Sequence, residues 1–312
     1  MESLLSCLRV VMPIFLMMAI GYASRLSGLL NDQGVAMINK VVFYCFVPVM
    51  VFYNIYCSDL SSSIRPGLIL YSVVGVLVTF ALSAGATALL CRDRTQWGVW
   101  IQGMYRTNFL TMGTAITSAL APEGEAGVFA VLLAFNVPLM NILAVVALEL
   151  FNGKKADVFK VLRDILRNPL VVGSLVGIFF VLFRIPLPVS ILNVTADMTK
   201  TTGTLLLFLL GAFFRFSSLP HNRRDIEIVT VFRLFLFPAL ALGIAYGLGM
   251  RGIELVTLIA LFATPTAANS FTMAQQMGGD AELAGDFIVV TSALCPLTLL
   301  GWSYLFMSMG AV

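Results

Sequence analysis

Residues 262–270 read Phe262-Ala263-Thr264-Pro265-Thr266-Ala267-Ala268-Asn269-Ser270, and they interrupt an apolar run extending from residue 254 to 277. Proline removes a backbone donor and clashes with the preceding turn, so a helix through this stretch breaks near its middle. Thr264 then reads as the N-cap of a new segment, with Pro265 at its first helical position. A second interrupted run lies in the first half of the chain: Tyr105-Arg106-Thr107-Asn108-Phe109-Leu110-Thr111-Met112-Gly113-Thr114. Here polar residues and Gly113 stand in place of the proline, and Asn108 reads as the cap of its second segment. Asn108 and Thr264 are 156 residues apart.

Around these interruptions the 312-residue chain is strongly apolar. Hydrophobic residues make up 59% and charged residues 11%, and the mean hydropathy is +0.96. A soluble domain carries about a quarter charged residues, so this chain lacks the charge to cover a soluble surface. Apolar runs of about 20 residues recur from end to end, each long enough to cross roughly 30 Å of hydrocarbon as a helix. The pattern predicts an all-α membrane protein. Ten spans fit it, near 8–25, 36–57, 67–91, 97–120, 126–150, 169–187, 198–216, 227–249, 254–277 and 284–309.

The longest connection, 152–168, divides the chain near its middle and holds Lys154, Lys155, Lys160, Arg163 and Arg167. Residues 1–151 and 169–312 then form two halves of five spans each. Pro13 and Gly21 match Pro169 and Gly177 at an offset of 156, and Ala126-Gly127-Val128-Phe129 matches Ala284-Gly285-Asp286-Phe287 at an offset of 158. An odd number of spans per half means that the second half enters the membrane from the opposite side. Inverted repeats of this kind are a transporter architecture, with the site at the repeat interface near the midplane.

Basic residues set the orientation. One set of loops holds Arg25, Arg92, Arg94, the five central residues, Arg215, Arg223 and Arg224, against Arg9, Arg65, Arg184, Lys200 and Arg251 on the other side. That imbalance places the central loop in the cytoplasm and both termini outside, in a multi-pass protein of the cell (inner) membrane. The net charge of +3 is spread through short loops, and no basic stretch suggests nucleic acid. The five cysteines lack paired spacing, the one histidine, His221, falls in a loop, and no nucleophile–base pair or metal set marks an enzyme or a cofactor. Lipid is the expected surroundings. Apolar helix faces serve a second copy as readily as lipid, so a homodimer stands open.

Two half-helix N-termini meeting at the midplane direct unpaired N–H groups and partial positive charge at one place, which suits an anion. Arg106 lies beside them, and an intramembrane arginine is functional by default. It could equally reach a neighbouring carbonyl or carboxylate. The expected anion ligands are Asn108, Thr266 and Asn269, assisted by Thr107 and Ser270, with Arg106 balancing charge. Asn136 reads either as a helix-packing hydrogen bonder or as part of a polar site beside Asn108. Lys40 either snorkels to an interface or faces the cavity.

The Arg106-Thr107-Asn108 segment followed by Gly113 resembles the fourth helix of the auxin efflux carrier family. Pro265-Thr266-Ala267-Ala268-Asn269-Ser270 with Met273-Ala274 and Gly278-Gly279-Asp280 resembles its ninth, and Ile38-Asn39-Lys40 through Pro48 and Phe52 its second. The resemblance implies crossed broken helices 4 and 9, as in sodium/proton antiporters and bile-acid symporters. Helices 1, 2, 6 and 7 would be a scaffold for a moving domain made of the rest. It also implies transport of organic anions, as with auxin in plants and dicarboxylates such as malonate in bacteria, and it adds Asn39 to the cavity-lining candidates. The plant carriers have a proline in both crossover helices; this sequence lacks one in the fourth.

Proton antiporters of related architecture carry a carboxylate in the middle of the fifth helix, where this chain has Asn136 and Asn141. A coupling ion, sodium or proton, is left open, and a sodium-coupled symporter is the nearest alternative. Gln275, Gln276, Asp280 and Glu282 could offer oxygens to sodium. Capping is the simpler role for Asp280 and Glu282, and for Glu123 and Glu125 before the fifth span.

Overall fold

A computed structural model of the chain describes residues 2–57, 65–110, 112–113, 116–117, 126–151, 163 and 165–312, with side chains described from residue 12 onward except at 14 and 126. Glu123, Glu125 and most of the central connection lie outside the described residues. The described helices are α1 Glu2–Leu26, α2 Asp32–Tyr56, α3 Pro66–Leu90, α4 Trp97–Tyr105, α5 Ala126–Leu150 and α6 Pro169–Leu182. They continue with α7 Val189–Phe213, then, after a single turn at Ser218–His221, α8 Arg223–Gly247, α9 Ile253–Phe262, α10 Asn269–Met277 and α11 Ala281–Ser308. By length and apolar composition α2, α3, Gly127–Leu150 of α5, α8 and α11 can each cross a membrane unbroken.

Local chemistry explains several of the boundaries. Asn31 caps α2, its side chain accepting the Gly34 N–H at 2.8 Å. Asn168 caps α6 through the Leu170 N–H at 3.0 Å, with Pro169 at the first helical position. Asp280 caps α11 through the Leu283 N–H at 3.0 Å, the role its sequence position suggests. The sequence starts the seventh span at residue 198, but α7 begins nine residues earlier, at Val189. Its polar residues do not end the helix because their hydroxyls bond back to it: Thr199 donates to the Thr195 carbonyl at 2.7 Å and Thr201 to that of Asp197 at 2.8 Å.

Both α2 and α8 contain a wide π turn, Val42–Phe46 and Phe232–Leu236, each followed two residues later by a proline, Pro48 and Pro238. A proline offers no N–H to the turn before it, and a π-type bond shifts the ladder by one residue to accommodate the gap.

Glycines bring α1 onto α7 and α6 onto α2. A Cβ on Gly21 would sit 2.0 Å from the Phe208 carbonyl oxygen, and one on Gly177 3.2 Å from that of Phe52. Gly21 and Gly177 differ by 156 residues, as do Phe52 and Phe208, so each contact becomes the other when the halves are exchanged. Small residues at such crossings let backbones approach closely where lipid supplies no hydrophobic drive.

Candidate functional site

The fourth and ninth spans both break, and their unwound segments pair. α4 ends at Tyr105, after which Arg106 turns extended at φ −82° and ψ 107°. α9 ends at Phe262, and α10 resumes only at Asn269. Between these ends Thr107 and Thr266 form an isolated antiparallel bridge. The Asn108 N–H donates to the Pro265 carbonyl at 2.8 Å, and the Ala267 N–H to the Arg106 carbonyl at 3.1 Å. Backbone groups freed by the breaks are thereby satisfied, as non-helical backbone at membrane depth requires.

The bridge corrects one sequence expectation. The two hydrogen bonds interchange when Thr107 and Thr266 are swapped, and these residues are 159 apart, not 156. Thr264 therefore corresponds to Tyr105, at the end of the incoming half-helix. Ala268, not Thr264, is the N-cap of α10, and Pro265 lies in the extended linker, ahead of the helix. Asn108 does sit where a cap belongs, its carbonyl accepting the Met112 N–H at 3.1 Å. Gly113 is buried just beyond, facing the Phe109 and Phe129 rings.

A cavity of about 340 Å³ opens beside the bridge. Arg106, Thr107, Asn108, Ala267, Ala268 and Asn269 form its crossover wall, with Met140 and Asn141 from α5. The opposite wall comes from α1, α2 and α7, including Pro13, Met50 and Lys200. Among the described residues, no acidic side chain lines it. Arg106 is 2% exposed, and its guanidinium donates to Gln102 Oε1 at 3.1 Å, Asn141 Oδ1 at 2.8 Å and Met273 Sδ at 2.9 Å. All three partners are neutral.

Other expected site residues turn elsewhere. Thr266 donates its hydroxyl to the Gly103 carbonyl at 2.7 Å, and Ser270 faces a tight space between α4 and α11 beside Gln102 and Phe287. Neither lines the cavity, because alternate residues of an extended strand point to opposite sides and a helix turns about 100° per residue. Asn39 is buried outside the cavity and donates its amide to Gln275 Oε1, which occupies an oxygen the sequence offers to sodium. Lys40 is exposed and also lies outside the cavity.

Asn136 binds Ser72 Oγ at 2.9 Å and the Leu132 carbonyl at 2.9 Å, tying α5 to α3. These bonds lie away from the cavity lining. Asn136→Ala should lower the thermal midpoint, equivalent to about 1 kcal/mol, and leave ligand affinity unchanged in titrations of the purified protein.

Two residues at the crossover had no role assigned from the sequence. Asn141 lies five positions beyond Asn136, about 140° further around the helix, so it meets Arg106 where Asn136 does not. Arg233, 1% exposed, bonds backbone carbonyls of Met104, Tyr105, Phe262 and Thr264. The signal for it was present, a single charge within the apolar run 228–245.

A membrane chain whose described residues are nearly all helical, with two broken helices crossed beside a cavity, has the architecture of a membrane transporter with an antiporter-like fold. The chain belongs to the Membrane transport protein family, whose profile matches residues 7–303, and the auxin efflux carrier resemblance holds with it. An "Uncharacterized transporter" of Methanothermobacter thermautotrophicus is 25% identical over 300 residues, covering 94% of this chain and 96% of that protein. A "Putative malonate transporter" of Rhizobium meliloti is 26% identical over 309 residues, covering 96% and 95%. The solved structure of the sodium proton antiporter MjNhaP1 from Methanocaldococcus jannaschii aligns with a TM-score of 0.67 at 12% identity, over 93% of this chain and 92% of that one. At that identity the likeness shows the fold alone.

Proposed function

We propose that the chain is a secondary active transporter that moves an organic anion across the cell membrane by alternating access, with the anion bound at the crossover. The observation that carries this reading is Arg106: a buried guanidinium on the cavity wall that, among the described residues, has only neutral partners and shares its cavity with no acid. A buried charge without a counter-charge is costly. A bound carboxylate supplies the missing charge.

Asn108, Asn269 and Thr107 donate to the carboxylate oxygens, with Arg106 beside them. Thr266 and Ser270 drop out of the ligand set because their hydroxyls lie off the cavity. Two inverted halves, 1–151 and 169–312, supply the two broken spans. α1, α2, α6 and α7 form the scaffold, against which the rest of the molecule shifts. A cavity walled by α1, α2 and α7 on one side and the crossover on the other supports that division. The basic loops favour a cytoplasmic 152–168 connection and extracytoplasmic termini.

The first test is the thermal stability of the purified protein against malonate, acetate and indole-3-acetate, each with and without sodium. A ligand present at about 100 times its Kd stabilises the folded state by roughly 2.7 kcal/mol. A carboxylate-specific rise in midpoint, lost in Asn108→Ala and in Asn269→Ala, supports the site. Unchanged affinity in both variants removes the assigned residues, and a response to sodium alone favours a cation-coupled site instead.

A further inference from the structure

Arg233 lies off the cavity, yet it makes the densest set of charged hydrogen bonds at the crossover. Its Nε donates to the Thr264 carbonyl at 2.9 Å, and its Nη1 to those of Met104 at 3.0 Å and Tyr105 at 3.3 Å. Nη2 donates to the Phe262 carbonyl. Met104 and Tyr105 end α4, Phe262 ends α9, and Thr264 follows two residues later. One guanidinium therefore holds the carboxyl ends of both incoming half-helices.

Each helix carboxyl end carries roughly half a negative charge. Two such ends converge at this crossover, and among the described residues no cation other than Arg233 bonds these four carbonyls. Left uncompensated, they would set about one negative charge immediately behind the Thr107–Thr266 bridge, in surroundings where screening is weak. The cavity side of the same bridge carries Arg106 and the start of α10.

Resting on the anion reading above, we infer that Arg233 is a positioning residue that sets the sign of the site. It cancels the negative ends of α4 and α9, so that the positive groups on the cavity side dominate the field an incoming carboxylate meets. The sequence supports a dedicated role. The residues corresponding to Arg233 at the offsets of 156, 158 and 159, Leu77, Gly75 and Val74, are uncharged, so one cation serves both half-helices. The π turn Phe232–Leu236 that carries it is a device found often at functional positions.

A purely mechanical staple is the competing account, and the two separate on a conservative change. Lysine keeps the charge but has no planar fork with which to reach four carbonyls. Titration of the purified full-length protein, its Arg233→Lys variant and its Arg233→Gln variant with malonate, acetate and indole-3-acetate makes the test. The Kd compared is that of the tightest of the three on the unmutated chain. If charge is what matters, Arg233→Lys binds within about threefold of the unmutated chain, while Arg233→Gln binds about tenfold more weakly or worse. Equal weakening of both variants, or undiminished binding by Arg233→Gln, overturns the inference while the anion site stands. If Arg233→Gln fails to fold, Arg233→Lys decides alone: near-unmutated affinity supports the charge role, and a tenfold loss overturns it. Failure of the unmutated protein to bind any of the three anions removes the anion reading, and this inference with it.

Discussion

Replacing Arg106 with glutamine is expected to weaken carboxylate binding by about a hundredfold or more, as loss of a desolvated charge pair does, with a much smaller change in stability. The two effects diverge because the guanidinium plays unequal parts in them. In the structure it is buried among neutral partners, Gln102, Asn141 and Met273, so removing it relieves a desolvation penalty while freeing three acceptors. In the proposed anion-bound state it supplies a positive charge on the same cavity wall as Asn108. Isothermal titration with malonate, acetate and indole-3-acetate beside a thermal melt of the same samples checks both halves. Parallel losses of affinity and midpoint would make Arg106 a structural residue and leave the cavity without its carrying observation.

Gly211→Ala is expected to be the most damaging single methyl in the chain, destabilising it by about 3 kcal/mol or more. An added Cβ would stand 1.9 Å from the Met18 carbonyl oxygen and 2.5 Å from the Met18 Cα, both backbone atoms that cannot swing aside. α1 and α7 would have to separate, and the wall of the cavity that they form would move with them. Gly85→Ala is the control. It lies within α3, meets nothing within 4 Å, and replaces a poor helix former by a better one. Thermal melts in one detergent should show a large drop for the first substitution and none for the second. Equal midpoints would mean that α1 and α7 can pack at a wider spacing than the structure has.

How much of this was legible in the sequence follows from which interactions are local. Membrane residence rests on run length and charge content, both properties of consecutive residues. The break in the ninth span follows from Pro265 alone, since a missing N–H needs no distant partner to disrupt a helix. The break in the fourth was readable from Arg106-Thr107-Asn108, although no proline marks it. Gly21 and Gly177 hinted at the repeat through spacing, and the reciprocal contacts with Phe208 and Phe52 give that spacing a physical purpose.

Direction was not legible. Thr266 and Asn269 look equivalent in sequence, but the antiparallel bridge turns the Thr266 hydroxyl toward Gly103 while Asn269 reaches the cavity. Asn136 and Asn141 share one helix, and only the packing of α5 against α3 and α4 selects which of them meets Arg106. Arg233 stood in plain view as an intramembrane charge, yet its partners are carbonyls of residues 104, 105, 262 and 264, brought together only when both broken spans cross. Where the backbone must leave the helix is written in consecutive residues, because it is fixed by each residue's own hydrogen-bonding capacity. Which side chains then face the cavity emerges only on folding, because it depends on how two unwound segments far apart in the chain pair.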